Sequence, residues 1–150
     1  MDPVFKKLNY KNQAEICVLN APESFNTNLA AMQELTLIKS ALDSVQKLQF
    51  GLVFVTKQAE VDFYATALAE KLEGDGQLWF AYPKGSSKRY KCEFNRDNGW
   101  AALGNLGFEG VRMVAIDEDW SALRFRRAEY VKNMTRSFAL SAEGKARSTH

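Results

Sequence analysis

The stretch Gln77-Leu78-Trp79-Phe80-Ala81-Tyr82-Pro83-Lys84-Gly85 decides the fold. Leu78 to Tyr82 are all apolar, with no polar alternation, which is how a strand covered on both faces reads. Pro83 then removes a backbone donor and ends the ladder. Ser86-Ser87-Lys88-Arg89-Tyr90-Lys91 follow. A buried strand that ends in a Pro, a Gly and several cations marks the edge at which an open α/β sheet presents ligands.

Segments on either side repeat the strand signal in alternation with helical ones. Glu15 to Leu19 is a short apolar run closed by Asn20-Ala21-Pro22, and Phe50 to Val55 is a second continuous apolar run. Between them Leu29, Met32, Leu35, Ile38, Leu42 and Val45 fall at steps of three and four, which predicts a helix over 29–45. Thr56 is placed to cap a further helix, Gln58 to Leu72, with Val61, Tyr64, Leu68 and Leu72 on its buried stripe. Gly74-Asp75-Gly76 reads as a turn. After the basic loop, Asp97 or Asn98 caps a helix through Trp100, Leu103 and Leu106, stopped by Gly107. Val111 to Ile116 is a strand, Asp117-Glu118-Asp119 an acidic connection, and Ser121 to Arg127 a returning strand.

The order β-α-β-α-β-α-β-β predicts a three-layer α/β domain. Its twisted sheet is mainly parallel, with helices on both faces and a C-terminal antiparallel hairpin strand. Residues 1–131 make this single domain. Residues 132–150 are read as a basic tail, partly helical or disordered. At 150 residues the chain is long enough to bury a core.

Charge and composition narrow the function. The net charge is +2, so the whole molecule is no polycation, although seven cations against Glu129 and Glu143 follow from Arg124 onward. The one histidine is His150, which leaves no His-based catalysis, and Ser121 has no base beside it in sequence. The two cysteines, Cys17 and Cys92, have neither a disulfide framework nor metal-ligand spacing around them. No metal is expected. Met1-Asp2-Pro3 opens without an apolar signal segment and no run reaches membrane-spanning length, so the expected location is the cytoplasm, with no membrane partner.

Two resemblances add to this reading. The Gly74-Asp75-Gly76 turn before a strand, the Gly107-Phe108 pair and the final antiparallel return resemble the second half of Rossmann-like methyltransferases. That resemblance implies a Rossmann-like sheet. The loop after the first strand, Asn20-Ala21-Pro22-Glu23-Ser24-Phe25, contains no glycine through which a cofactor could approach the backbone. Thr56-Lys57 stands where an acidic residue would hold a ribose. No cofactor is therefore expected. The motifs Leu19-Asn20-Ala21-Pro22-Glu23, Leu78 to Gly85 and Val114 to Phe125 resemble the bacterial domain-of-unknown-function family 3052, which implies no assigned activity.

In a parallel sheet the loops after Leu19, Tyr82 and Ile116 share one edge. The candidate ligand-binding residues there are Asn20, Glu23, Tyr82, Lys84, Asp117, Trp120 and Ser121. The expectation is a cytoplasmic α/β protein that binds an anionic small ligand or a protein partner at this edge. The alternatives are a divergent methyltransferase-like enzyme using Lys84 and Asp117, or a nucleic-acid-associated module using the basic loop and tail. Nucleic acid is the less favoured partner at this net charge. Lys84 and Asp117 can also use each other in an ion pair, and acidic residues in a hairpin connection are commonly turn formers.

Overall fold

The structure is a computed structural model and describes residues 1–131. The expected tail, 132–150, lies outside the described residues. The chain forms helix α1 (Pro3–Lys7), strand β1 (Glu15–Leu19), helix α2 (Asn26–Met32), strands β2 (Leu37–Lys39) and β3 (Leu48–Phe54), and helix α3 (Gln58–Ala69). Strand β4 (Leu72–Pro83), helix α4 (Ala101–Asn105) and strands β5 (Phe108–Ala115) and β6 (Trp120–Arg127) follow. The six strands lie in one sheet in the order β2-β1-β3-β4-β6-β5. The first four are parallel, and β6 is antiparallel to both of its neighbours. This is the expected α/β class. The returning strand of the hairpin is interior, between β4 and β5, so that β5 takes the edge.

Period-two alternation on β4 and β3 builds a core on each face. Leu78, Phe80 and Tyr82 pack with Val61, Ala65 and Leu68 of α3 and Leu103 of α4. Trp79 and Ala81 join Phe50 and Leu52 of β3 under Val4 and Phe5 of α1 and Met32 of α2. Trp79, Phe80, Phe50 and Phe5 are fully buried, each contributing about 1.5–3 kcal/mol of burial. The helices thus cover both faces, as the unbroken apolar runs require.

Three local expectations are corrected. The predicted helix over 29–45 is a short helix, α2, followed by strand β2 and a single 3-10 turn, Leu42–Ser44. Backbone pairing overrides the helical spacing here: Leu37 N donates to Ala14 O at 3.0 Å, and Ile38 pairs with Ile16 of β1. The buried Thr36 hydroxyl also bonds Gln13 O at 2.8 Å, and Leu35 and Leu37 stay exposed. Gly74-Asp75-Gly76 lies within β4 as a bulge, where Glu73 to Gly76 stand against the single Gln49 of β3. Gly74 takes φ +49°, a conformation glycine adopts without strain. The cap of α3 is Lys57, with Glu60 accepting from the backbone N–H groups of both Thr56 and Lys57.

Candidate functional site: a basic cleft at the end of β4

Strand β4 ends against β6, where Pro83 pairs with Trp120 and Lys84 N donates to Asp119 O at 2.8 Å. The chain then turns back over the sheet as a long loop, 84–99, pinned at several points. Ser87 Oγ donates to Asp119 Oδ1 at 2.9 Å and accepts from Tyr90 N at 3.2 Å. Glu93 N donates to Thr56 O, and the Glu93 carboxylate accepts Gln58 N at 2.8 Å in the first turn of α3, where the helix dipole favours an anion. The Gln58 amide donates to Gly99 O at 2.7 Å, and Trp100 Nε1 donates to Asn95 O at 2.8 Å. Gly99 sits at φ +90°, and a Cβ there would lie 2.5 Å from Phe94 Cβ. Only glycine closes this loop.

Between the pinned loop and the sheet lies a cleft of about 540 Å³. Tyr82 and Ser121 line it from the sheet, Lys84, Lys91 and Arg96 supply its cations, and Met113 of β5 stands at its side. No carboxylate of the described residues lines it. The Lys84 and Lys91 ammonium groups bond to no described residue, and Arg96 meets Asp97 at 3.7 Å with both side chains well exposed. Ser121 is 7% exposed, and its hydroxyl makes no hydrogen bond to a described residue. Tyr82 Oη donates to Met113 Sδ at 3.2 Å. Burial pushes the Tyr82 phenol up, against a smaller lowering pull from Arg96. Burial likewise raises the half-buried Cys92 thiol. Both groups are therefore neutral near pH 7, and the field of the cleft is set by its cations.

Of the seven candidate residues, the cleft gathers Tyr82, Lys84 and Ser121. Trp120 follows the opposite parity to Ser121. It belongs to the α1–α2 side, with its ring 5.1 Å from Phe54 and 4.8 Å from Tyr90, and its Nε1 is buried with no partner among the described residues. Asp117 is exposed and forms the hairpin turn, its Oδ1 accepting Asp119 N at 2.8 Å and Trp120 N at 2.9 Å. It makes no ion pair with Lys84. Asn20 and Glu23 are exposed and do not line the cleft. Asn20 holds φ +59°, and the 3-10 turn Glu23–Phe25 behind it brings Phe25 to 5.0 Å from Phe54. The expected single cleft is thus divided by strand alternation.

Sequence reading did not place Lys91, Cys92, Arg96 and Met113 in the site. Lys91 and Arg96 carried a signal as members of the basic loop. Met113 carried none, because its position depends on pairing with Leu123 of β6. The arginines of β6 are committed elsewhere. Arg126 grips Asp75 through two bonds of 2.7 and 2.6 Å, and Arg127 donates to Gly74 O at 2.6 Å and Leu72 O at 3.0 Å. They tie the bulge of β4 to β6 and do not extend the basic loop. Among the described residues no cluster of three metal-ligating side chains occurs, and no helix is long and apolar enough to cross a membrane.

No family model matches the chain, which leaves the resemblance to domain-of-unknown-function family 3052 without support, and no curated protein matches it. Solved structures do. A Sulfolobus solfataricus protein described as a type 11 methyltransferase aligns over 91% of this chain and 95% of its own, with a TM-score of 0.50 at 5% identity. The Methanococcus jannaschii fibrillarin pre-rRNA processing protein aligns over 78% of this chain and 67% of its own, with a TM-score of 0.51 at 14% identity. The pyocyanin biosynthetic protein PhzM aligns over 83% of this chain and 53% of its own, with a TM-score of 0.50 at 12% identity. The chain therefore spans about half the length of PhzM. The fold is an α/β methyltransferase-like fold.

Proposed function

We propose that this chain uses a methyltransferase-like scaffold to bind an anionic small ligand in the cleft at the end of β4. The observation that supports this reading best is the charge of the cleft: Lys84, Lys91 and Arg96 line it beside Ser121, and no carboxylate of the described residues does. The Ser121 hydroxyl lines the cleft and is a donor to a ligand oxygen there. Lys84 is half-buried and Lys91 and Arg96 are exposed, and together they give the cleft a positive potential that attracts an anion.

A second reading, a divergent methyltransferase, is favoured by the fold likeness and by Asn20. Its left-handed backbone at the end of β1 supplies a turn that glycine would otherwise make. Against it stands the loop Asn20 to Phe25, which contains no glycine and whose Phe25 is committed to the core against Phe5 and Phe54. The basic loop also suits a nucleic-acid backbone, but the arginines of β6 are already paired and add nothing to that surface.

Calorimetric titration with inorganic phosphate and with S-adenosylmethionine separates these readings. The proposal expects phosphate binding that weakens in Lys84→Ala and as salt rises. Binding of S-adenosylmethionine alone, unchanged in Lys84→Ala, would overturn it in favour of the enzyme.

A further inference from the structure

The cleft has an apolar half that a bare anion leaves unused. Phe94, Tyr82 and Met113 line it together with the cations. Met113 is 44% exposed on the edge strand β5. Its flexible thioether suits an aromatic edge. The cleft does not end at Met113. Arg96 and Met113 are shared with a second hollow of about 250 Å³ that runs along β5 past Val111, itself 38% exposed. The volume of about 540 Å³ matches small-molecule sites, which run from about 300 to 1,000 Å³, and far exceeds the needs of inorganic phosphate.

The cationic half also discriminates. Lys84, Lys91 and Arg96 present three positive charges, with Asp97 3.7 Å from Arg96 and no carboxylate of the described residues lining the cleft itself. A phosphate monoester, carrying about −1.5 to −2 at pH 7 with three acceptor oxygens, uses more of these donors than a carboxylate can. The Ser121 hydroxyl offers a further donor from the sheet.

Resting on the anion-binding reading above, we infer that the ligand is a phosphate monoester of a flat, apolar body. Its phosphate lies among Lys84, Lys91, Arg96 and Ser121. Its ring lies on Met113 and reaches toward the hollow beside β5. No covalent step is involved.

Isothermal titration of the full chain with inorganic phosphate, phenyl phosphate and phenol at pH 7.5 and low salt tests this. Phenyl phosphate is expected to bind about tenfold tighter than phosphate, from burial of the ring. Phenol is expected not to bind. Met113→Ser should remove the advantage of phenyl phosphate over phosphate, while Ser121→Ala should weaken both. Equal affinity for phosphate and phenyl phosphate would overturn the inference and leave the anion-binding reading standing. Binding of none of the three, or of phenol as tightly as phenyl phosphate, would overturn both.

Discussion

Ser121 stands directly opposite Tyr82 in the β4–β6 ladder, so both side chains enter the same cleft, while the adjacent Trp120 turns to the other face of the sheet. This pairing gives the end of β4 its chemistry. It places the Ser121 hydroxyl and a buried phenol under a loop that carries the cations. It also separates the cleft from the aromatic stack of Phe25, Phe54 and Trp120 near the end of β1.

Lys84 makes no ion pair with Asp117, and its side chain is partly exposed. Lys84→Ala is therefore expected to change unfolding free energy by less than about 0.5 kcal/mol, as for a surface substitution. Urea denaturation checks this. A loss of several kcal/mol would mean that the lysine has a buried partner and is structural.

Cys92 lines the cleft, whereas Cys17 is 1% exposed within β1. A thiol reagent should therefore label the folded chain once, at Cys92. The reaction should be slow near neutral pH and faster in alkali, because burial raises the Cys92 thiol above its usual 9.0 and only the thiolate reacts. Saturating phenyl phosphate should slow the labelling, measured by mass spectrometry over time. An unchanged rate would place the ligand elsewhere.

Burial first, and then Glu15, pushes the Cys17 thiol from 9.0 up to about 11. The unfolded thiol loses its proton near pH 9 and the folded one near 11, so between these values the folded chain binds more protons. Stability from this group is full below pH 9 and is lost as pH rises toward 11, by on the order of 2–3 kcal/mol. Tyr82 and Cys92 are raised too and add to the same fall. Denaturation at a series of pH values should give a shallower slope in Cys17→Ala than in the parent chain. Equal slopes would remove Cys17 as a cause.

Much of the fold was legible because β1, β3 and β4 are buried on both faces and say so in unbroken apolar runs. The segment after Met32 was not legible. Its apolar residues satisfy a helical period, yet the open edge of β1 captures Leu37 to Lys39 as a strand, and that pairing has no local signature. The Gly74-Asp75-Gly76 bulge misled for a similar reason. Two glycines in three residues signal a turn, but Asp75 is held by Arg126, about fifty residues away, and the strand continues through it. The site was half legible. Lys84 and Tyr82 follow from where β4 stops. That Ser121 joins them while Trp120 and Asp117 do not depends on the register of β6, which a hairpin with an acidic turn leaves open by one residue.

The proposed ligand site is the basic cleft at the end of β4 and not the loop after β1. Amide chemical-shift mapping of the isotope-labelled chain during titration with phenyl phosphate distinguishes the two. Shifts are expected to concentrate at Lys84, Ser87, Tyr90, Lys91, Met113 and Ser121. Shifts concentrated at Asn20, Ala21 and Glu23, with the cleft silent, would contradict this placement.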